Sequence, residues 1–208
     1  NRLIVPIYDA QGRVVAFGGR SLDGQEPKYL NSPETEVFEK GKILFAYDKA
    51  STHIRKKDQA IVVEGYFDVI ALHAKGINNC VASLGTALNK YQISQLCRCT
   101  DNKNIILNFD SDNAGTLATK RIISEVETLS LHDQINLKVL QIRDFKDPDE
   151  FLIKNSPEDY FNLIDNASFW IDWEIDQIFY DKDISKAENF QKVVGSLVRF
   201  LSKLPQSA

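Results

Sequence analysis

Two short runs of β-branched and apolar residues, each ending at a carboxylate, constrain this chain more than any other feature. The first runs from Ala60 to Val63 and meets Glu64, and the second runs from Ile105 to Phe109 and meets Asp110. Such runs are typical of strands buried in a parallel sheet. The carboxyl ends of neighbouring parallel strands open into one crevice. Carboxylates from both ends are therefore expected to share a cation or a phosphate group, which predicts a metal-dependent phosphoryl site.

Strands and helices alternate through most of the chain, which predicts βαβ units and a mainly parallel sheet. The apolar patterns predict strands at 3–7, 14–20, 60–63, 80–82, 104–109 and 137–142, the first two forming a hairpin. They predict helices at 42–55, 66–75 and 89–98, and a further helix capped by Asn113. Past Phe151 they predict an all-helical end, with helices that begin at Ser156 and that cover 169–180 and 190–204. Residues 21–40 have no periodicity and are expected to form a long ordered loop.

The composition, 43% hydrophobic over 208 residues, suits one or two folded domains. No apolar run approaches the roughly 20 residues that a membrane-spanning helix needs, so an intracellular protein without a membrane segment is expected. The chain contains no Met, even at position 1, and is expected to be a piece of a longer protein. Three cysteines, Cys80, Cys97 and Cys99, lack zinc-site spacing and are expected to be buried thiols rather than zinc ligands.

Charge is unevenly distributed along the chain. The net charge is −4, yet residues 1–58 carry ten Lys and Arg against eight Asp and Glu. Affinity for a polyanion comes largely from Lys and Arg that neutralise phosphates. A slightly basic first segment joined to an acidic body therefore leaves a nucleic-acid partner open.

A third group of acids, Asp147-Pro148-Asp149-Glu150, follows the last predicted strand. Mg²⁺ prefers oxygen ligands and is typically held by one or two carboxylates together with substrate phosphates. The candidate ligands for one or two such ions are Glu64, Asp110, Asp112, Asp147 and Asp149. The alternative is that these acids are solvated or cap helices. A second enzyme interpretation rests on Asp110-Ser111-Asp112, which resembles the first motif of haloacid-dehalogenase phosphatases, although Ala114 departs from it and Glu64-Gly65 is left unexplained.

A Glu-Gly turn, an Asp-x-Asp and an Asp-Pro-Asp in this order resemble the toprim domain of bacterial primases, topoisomerases and some nucleases. A denser set of motifs over residues 2–155 resembles the catalytic core of bacterial DnaG-type primases. That set is Gly18-Gly19-Arg20, Pro27 to Thr35 (PKYLNSPET), Phe38 to Gly41, Glu64 to Asp68 (EGYFD), Ala82 to Thr86 (ASLGT), Asp110 to Gly115 (DSDNAG) and Asp147 to Glu150 (DPDE).

The resemblance implies an α/β chain with a toprim fold, a mainly parallel sheet flanked by helices. It places part of a small mixed α/β subdomain with a basic groove at 1–58, the toprim domain at 59–155 and a helical subdomain at 156–208. It implies an RNA polymerase that makes primers from ribonucleoside triphosphates on single-stranded DNA, in the cytoplasm at the replication fork. The helicase and the single-strand-binding protein are implied partners through domains outside this chain, and an RNA–DNA hybrid is the implied product.

The resemblance also assigns roles to residues. It makes Glu64, Asp110 and Asp112 catalytic and holds Mg²⁺, or Mn²⁺ as its substitute, with these three and with Asp147 and Asp149. Asp68 is implied to orient the site without contacting the metal. The residues implied to bind nucleotide and template are Arg20, Lys28, Asn31, Ser32 and Lys40. Two rivals stay open at this point, a toprim topoisomerase or nuclease, and a metal-stabilised module that only binds single-stranded DNA.

Overall fold

The computed structural model describes residues 1–85, 88–127, 135–142 and 144–204. They form two compact units, Asn1–Ala167 and Ser168–Ala208. The subdomain limits expected after residues 58 and 155 stay predictions. Thr86 and Pro205, which the sequence placed at a strand end and a helix end, lie outside the described residues. No helix in the described ranges combines the length and the apolar character that crossing a bilayer demands.

The first unit alternates strands and helices after an initial group of strands. Its strands are β1 (Arg2–Tyr8), β2 (Val14–Ser21), β3 (Tyr29–Asn31), β4 (Leu44–Phe45), β5 (Ala60–Val63), β6 (Cys80–Ser83), β7 (Asn104–Leu107) and β8 (Asn136–Val139). Its helices are α1 (Tyr47–Lys57), α2 (Tyr66–Ala74), α3 (Lys90–Cys97), α4 (Asn113–Glu127), α5 (Pro148–Lys154) and α6 (Pro157–Asp165), with a 3₁₀ turn at Lys40–Lys42. The second unit contains β9 (Ser168–Phe169), α7 (Trp170–Phe179) and α8 (Ala187–Leu201).

The first three strands form an antiparallel sheet in the order β1-β2-β3, which confirms the predicted hairpin. Asp9 holds its turn, because its Oδ1 accepts hydrogen bonds from the backbone N–H of Gln11 and of Arg13, both at 2.9 Å. The third strand lies inside the predicted loop and pairs Gly18 with Asn31. Three residues are too few to show a period, so only pairing with the edge of β2 reveals this strand.

The second sheet has the strand order β4-β6-β5-β7-β8 in the first unit. Strand β5 is parallel to β6 and to β7, and β7 is parallel to β8, so the predicted mainly parallel sheet is confirmed. All four residues of β5 and of β6 are buried. Burial on both faces explains why these strands have continuous apolar runs rather than alternation.

The predicted helix over 42–55 is wrong at its start. Leu44 and Phe45 form β4 and pair antiparallel with Ser83 and Ala82, and the helix begins only at Tyr47. Ala46 makes the turn between them with a φ of 62°. Both residues of β4 are buried, so the sheet edge determines their conformation.

Two predicted strands end earlier than expected, β7 at Leu107 and β8 at Val139. The buried side chain of Asn108 lies just past the end of β7, and its Nδ2 donates to the carbonyl of Leu140 at 3.2 Å. Its Oδ1 accepts a hydrogen bond from the Tyr160 hydroxyl at 2.8 Å, so helix α6 takes part in the same arrangement. These side-chain hydrogen bonds add to the backbone bonds of Asn108 and Leu140 and hold the segment that leads to Asp110.

The second unit is mostly helical, as predicted. Helix α8 covers Ala187–Leu201 rather than 190–204, and Leu204 lies past its end. Trp173 is buried, as expected for a core residue, and Trp170 is half-buried with its ring 6.1 Å from that of Phe200. In the first unit the three cysteines are buried and free, which confirms the expected thiols.

Candidate active site

A cleft of about 290 Å³ opens where β5 and β7 end, and we call it the acidic cleft. Its charged lining consists of five acids, Glu64, Asp68, Asp110, Asp147 and Asp149, and three bases, Arg20, Lys28 and Lys146. The rest of the lining is Tyr29, Asn31, Gly65, Tyr66, Phe67 and Gly85. The cleft therefore brings together acids that follow three different strands of the parallel sheet, as the sequence predicted for this edge.

Glu64 and Asp110 come from neighbouring parallel strands and are in direct contact. The Oε1 of Glu64 accepts a hydrogen bond from the backbone N–H of Asp110 at 3.2 Å. Burial raises the pKa of Glu64, and the hydrogen bond from the Asp110 N–H lowers it by a smaller amount. Burial, followed by the negative charges of Glu64 and Asp147, raises the pKa of Asp110 to about 6. The two carboxylates thus lie in a site with more negative charge than its own bases neutralise.

Asp68 lies in the first turn of α2, where the chain turns after Gly65. Its Oδ2 accepts a hydrogen bond from the Gly65 backbone N–H at 3.1 Å. The side chain is buried, and burial, followed by the charge of Asp147, raises its pKa to about 7. Asp68 is therefore placed to hold the Glu64-Gly65 turn in position, and its orienting role in the reaction stays a prediction.

The raised pKa of Asp68 predicts a distinct pH dependence of stability in metal-free protein. A carboxyl group with a higher pKa in the folded than in the unfolded state stabilises the fold when protonated, and this stability is lost as pH rises through the folded value of about 7. We expect Asp68→Asn to remove this loss. The free energy of unfolding of the variant should therefore exceed that of the wild type by about 2–4 kcal/mol at pH 8 and equal it near pH 4.

Urea unfolding of both proteins between pH 4 and 8 in the presence of a chelator measures this difference. Replacing the exposed Asp165 by Asn removes the same formal charge outside the cleft and is the control. A stability difference between Asp68→Asn and wild type that stays constant with pH would contradict the prediction.

Asp147 and Asp149 begin helix α5. The Oδ1 of Asp147 accepts a hydrogen bond from the Glu150 backbone N–H at 2.8 Å, and Pro148 occupies the first helical position. The capping bond is a local effect of the Asp-Pro-Asp-Glu sequence. It fixes Asp147 at the helix start, and both Asp147 and Asp149 line the acidic cleft.

Asp112 is the one predicted ligand that lies outside the lining of the acidic cleft. It is exposed, and its Oδ1 accepts a hydrogen bond from the Gly115 backbone N–H at 2.9 Å. Asp112 thus performs the capping role that the sequence assigned to Asn113, which instead is the first residue of α4. Its charge still acts on Glu64 and Asp110, whose pKa values it raises. Its role as a metal ligand stays a prediction.

A wall of aromatic and basic side chains borders the same cleft. The guanidinium carbon of Arg20 lies 4.7 Å from the centre of the Phe67 ring, and the Lys28 Nζ lies 5.6 Å from the centre of the Tyr29 ring. Tyr29 meets Tyr66 edge-on, with 5.8 Å between ring centres. Cations beside aromatic rings are suited to bases and phosphates of a nucleic acid.

The other three residues predicted to bind nucleotide or template are placed differently. Asn31 lines the acidic cleft, where its Nδ2 donates to the Leu84 carbonyl at 3.0 Å and its Oδ1 accepts from the Tyr66 hydroxyl at 3.2 Å. Ser32 hydrogen-bonds the backbone N–H and carbonyl of Phe17, and Lys40 begins the 3₁₀ turn. Neither Ser32 nor Lys40 belongs to the lining, and their proposed contacts stay predictions.

Six lining residues received no role from the sequence: Tyr29, Gly65, Tyr66, Phe67, Gly85 and Lys146. Tyr66 and Phe67 follow Glu64-Gly65 directly, so their place in the motif was a signal that they face the same cleft. Lys146 precedes Asp147, and its Nζ lies 4.0 Å from the Asp110 Oδ2. A lysine beside an acidic loop is common on protein surfaces, so its sequence position alone did not distinguish it.

The acidic cleft offers oxygen donors only, which is the donor set that Mg²⁺ and Mn²⁺ prefer. Within the described ranges, however, no three His, Cys, Asp or Glu side chains are arranged as a ready metal site. Mg²⁺ usually keeps several waters and is held by one or two carboxylates plus substrate phosphates, so a full protein cage is not required. The residues therefore fit a divalent ion.

Comparison with known proteins agrees with this geometry. Residues 1–51 match the family described as DNA primase catalytic core, N-terminal domain, and residues 61–152 match the Toprim-like family. A DNA primase of Synechococcus elongatus is 54% identical over 207 residues, which cover 100% of this chain and 30% of that protein. The chain belongs to the DnaG-type DNA primase family. Membership implies dependence on a divalent metal, and it replaces the phosphatase interpretation of Asp110-Ser111-Asp112.

Solved structures of the family share the fold. A DNA primase domain from Pseudomonas aeruginosa is 36% identical with a TM-score of 0.83, covering 98% of this chain and 63% of that one. A DnaG primase catalytic domain bound to single-stranded DNA is 33% identical with a TM-score of 0.80, covering 98% of this chain and 65% of that one. The chain spans about a third of the length of the curated relatives it matches.

Proposed function

We propose that the protein to which this chain belongs is a DNA primase, a metal-dependent polymerase that makes short RNA primers from ribonucleoside triphosphates on single-stranded DNA. The observation that carries the proposal is the acidic cleft, in which acids after β5, β7 and β8 meet a wall of cations and aromatic rings. Polymerisation needs both features, because phosphates must be held while charge develops on the attacking and leaving oxygens.

The acidic edge performs the chemistry in this proposal. Glu64, Asp110 and Asp112, with Asp147 and Asp149, would hold Mg²⁺, for which Mn²⁺ would substitute, and the ion would supply positive charge beside the phosphates. The raised pKa of Glu64 also suits it to accept the proton of an attacking 3′-hydroxyl at an Oε atom. Asp68 keeps the Glu64-Gly65 turn in place through its hydrogen bond to the Gly65 N–H.

The basic wall binds the nucleic acid and the nucleotide. Arg20 and Lys28 hold phosphates, and the exposed Tyr29 ring offers a surface on which a base stacks. Asn31, Ser32 and Lys40 extend this surface toward the template. The similar DnaG catalytic domain that is bound to single-stranded DNA supports such a template. The RNA–DNA hybrid is the product, and helicase and single-strand-binding protein meet the enzyme through segments outside this chain, in the cytoplasm at the replication fork.

Primer synthesis by the full protein tests the proposal. Labelled ribonucleotides, a single-stranded DNA template and Mg²⁺ should give short RNA on a denaturing gel. A chelator should abolish the RNA, excess Mn²⁺ should restore it, and omission of template should prevent it. Absence of RNA under all these conditions would overturn the proposal. Cleavage of supercoiled DNA in its place would indicate a toprim nuclease or topoisomerase.

A further inference from the structure

Lys146 is held by its backbone between two parts of the acidic cleft. Its N–H donates to Glu150 Oε2 in helix α5 at 3.0 Å, and its carbonyl accepts from the Ser111 N–H at 3.3 Å. Ser111 follows Asp110 directly, so the two hydrogen bonds connect the start of α5 to the Asp110 segment. The Lys146 side chain is 60% exposed and ends with its Nζ 4.0 Å from the Asp110 Oδ2.

The other two bases of the cleft have different neighbours. Arg20 lies over the Phe67 ring and Lys28 over the Tyr29 ring, both on the three-stranded sheet side of the lining. Among the described residues, one ion pair joins a base of the acidic cleft to a carboxylate of the cleft. It is formed by Lys146 and Asp110. Lys146 is thus the base of the cleft whose charged group lies beside one of the cleft carboxylates.

The pair is weak enough to break during a reaction cycle. An ammonium 4.0 Å from a carboxylate, on a side chain more than half exposed, is worth little because solvent screens it. A lysine has a flexible stem and three donors that rotate freely, so the same Nζ can serve a second anion nearby. A nucleotide entering the acidic cleft brings such an anion, its triphosphate.

We propose that Lys146 is a movable counter-cation of the active site, paired with Asp110 in the metal-free protein and with the triphosphate of the incoming nucleotide once a divalent ion occupies Asp110. This role rests on the proposed function. It has two opposite consequences. In the metal-free protein Lys146 competes with the divalent ion for Asp110, and in the loaded cleft it supports nucleotide binding.

The test compares Lys146→Met with Lys154→Met in the full protein. Lys154 lies in α5, is 61% exposed and pairs with Glu150, so its loss changes net charge equally without touching a cleft carboxylate. Titration calorimetry with Mn²⁺ and no nucleotide should give binding about two- to fivefold tighter in Lys146→Met. Its KM for ribonucleotides should rise about tenfold with a smaller change in kcat, because a charge-assisted contact to phosphate is lost. Lys154→Met should change neither value, and Lys146→Arg should restore the KM.

Lys146→Met is expected to bind Mn²⁺ more tightly and ribonucleotides more weakly, and these opposite effects distinguish this role from a structural one. Unchanged Mn²⁺ affinity and KM in Lys146→Met, or changes matched by Lys154→Met, would overturn it while leaving primer synthesis by the wild type intact. A wild type that neither binds Mn²⁺ nor makes primers would overturn the proposed function and this role together.

Discussion

Replacing Asp110 by Asn should reduce primer synthesis by about a thousandfold or more while the protein stays folded. The change removes the negative charge of Asp110, whose backbone N–H contacts Glu64. The rate should fall because metal-assisted stabilisation of phosphate charge is worth several kcal/mol. The hydrogen bond to Glu64 is donated by the backbone N–H of residue 110, so the substitution retains it. Glu64→Gln should have a similar effect. Primer yield per unit time, measured at saturating nucleotide, gives the size of the loss.

Stability provides the internal control for this prediction. Burial, followed by repulsion from Glu64 and Asp147, disfavours the ionised Asp110 and raises its pKa to about 6, so the neutral Asn should give a Tm no lower than that of the wild type in metal-free buffer at pH 8. The exposed Asp165→Asn should synthesise primers at the wild-type rate. An Asp110→Asn protein with normal synthesis would show that the site has been assigned to the wrong residues.

Replacing Gly115 by Ala should damage both the fold and the site. A Cβ at this position would overlap the Asp110 carbonyl oxygen and lie 2.9 Å from its carbonyl carbon. These are backbone atoms, so relief requires moving the Asp110 segment or the start of α4. We expect a loss of about 1–3 kcal/mol from overpacking and a fall in synthesis of about a hundredfold, since a shift of about 1 Å in a catalytic group can cost that much.

Gly195→Ala is the matched control for Gly115→Ala. Gly195 lies inside α8, and apart from its chain neighbours and the adjacent helix backbone no described atom lies within 4 Å of an added Cβ. The same substitution there should stabilise the protein by about 0.5–1 kcal/mol, because Ala is the better helix former. Urea unfolding and primer synthesis of both variants measure the contrast. Wild-type stability in Gly115→Ala would contradict the close approach of α4 to Asp110.

Local chemistry made much of the fold predictable from the sequence. Apolar runs such as Ala60–Val63 indicated buried parallel strands, because only strands covered on both faces lack alternation. Helix ends were predictable where the signal lies within four residues. Ser156 caps α6 through its Oγ, and Gly76 follows α2 with a φ of 82°. The candidate acids were predictable too, because parallel strands that end in carboxylates must present them at one edge.

The tertiary structure alone decided which side chains meet in the acidic cleft. The contact of Glu64 with Asp110 spans 46 residues, and that of Asn31 with Leu84 spans 53. No local pattern contains such a pairing, which explains why β3 and β4 were missed. Asp112, only two residues from Asp110, caps α4 through a local hydrogen bond to Gly115 and lies outside the lining. The chain by itself determined the types of group at the strand ends, whereas packing of distant segments decided their partners, including Lys146 beside Asp110.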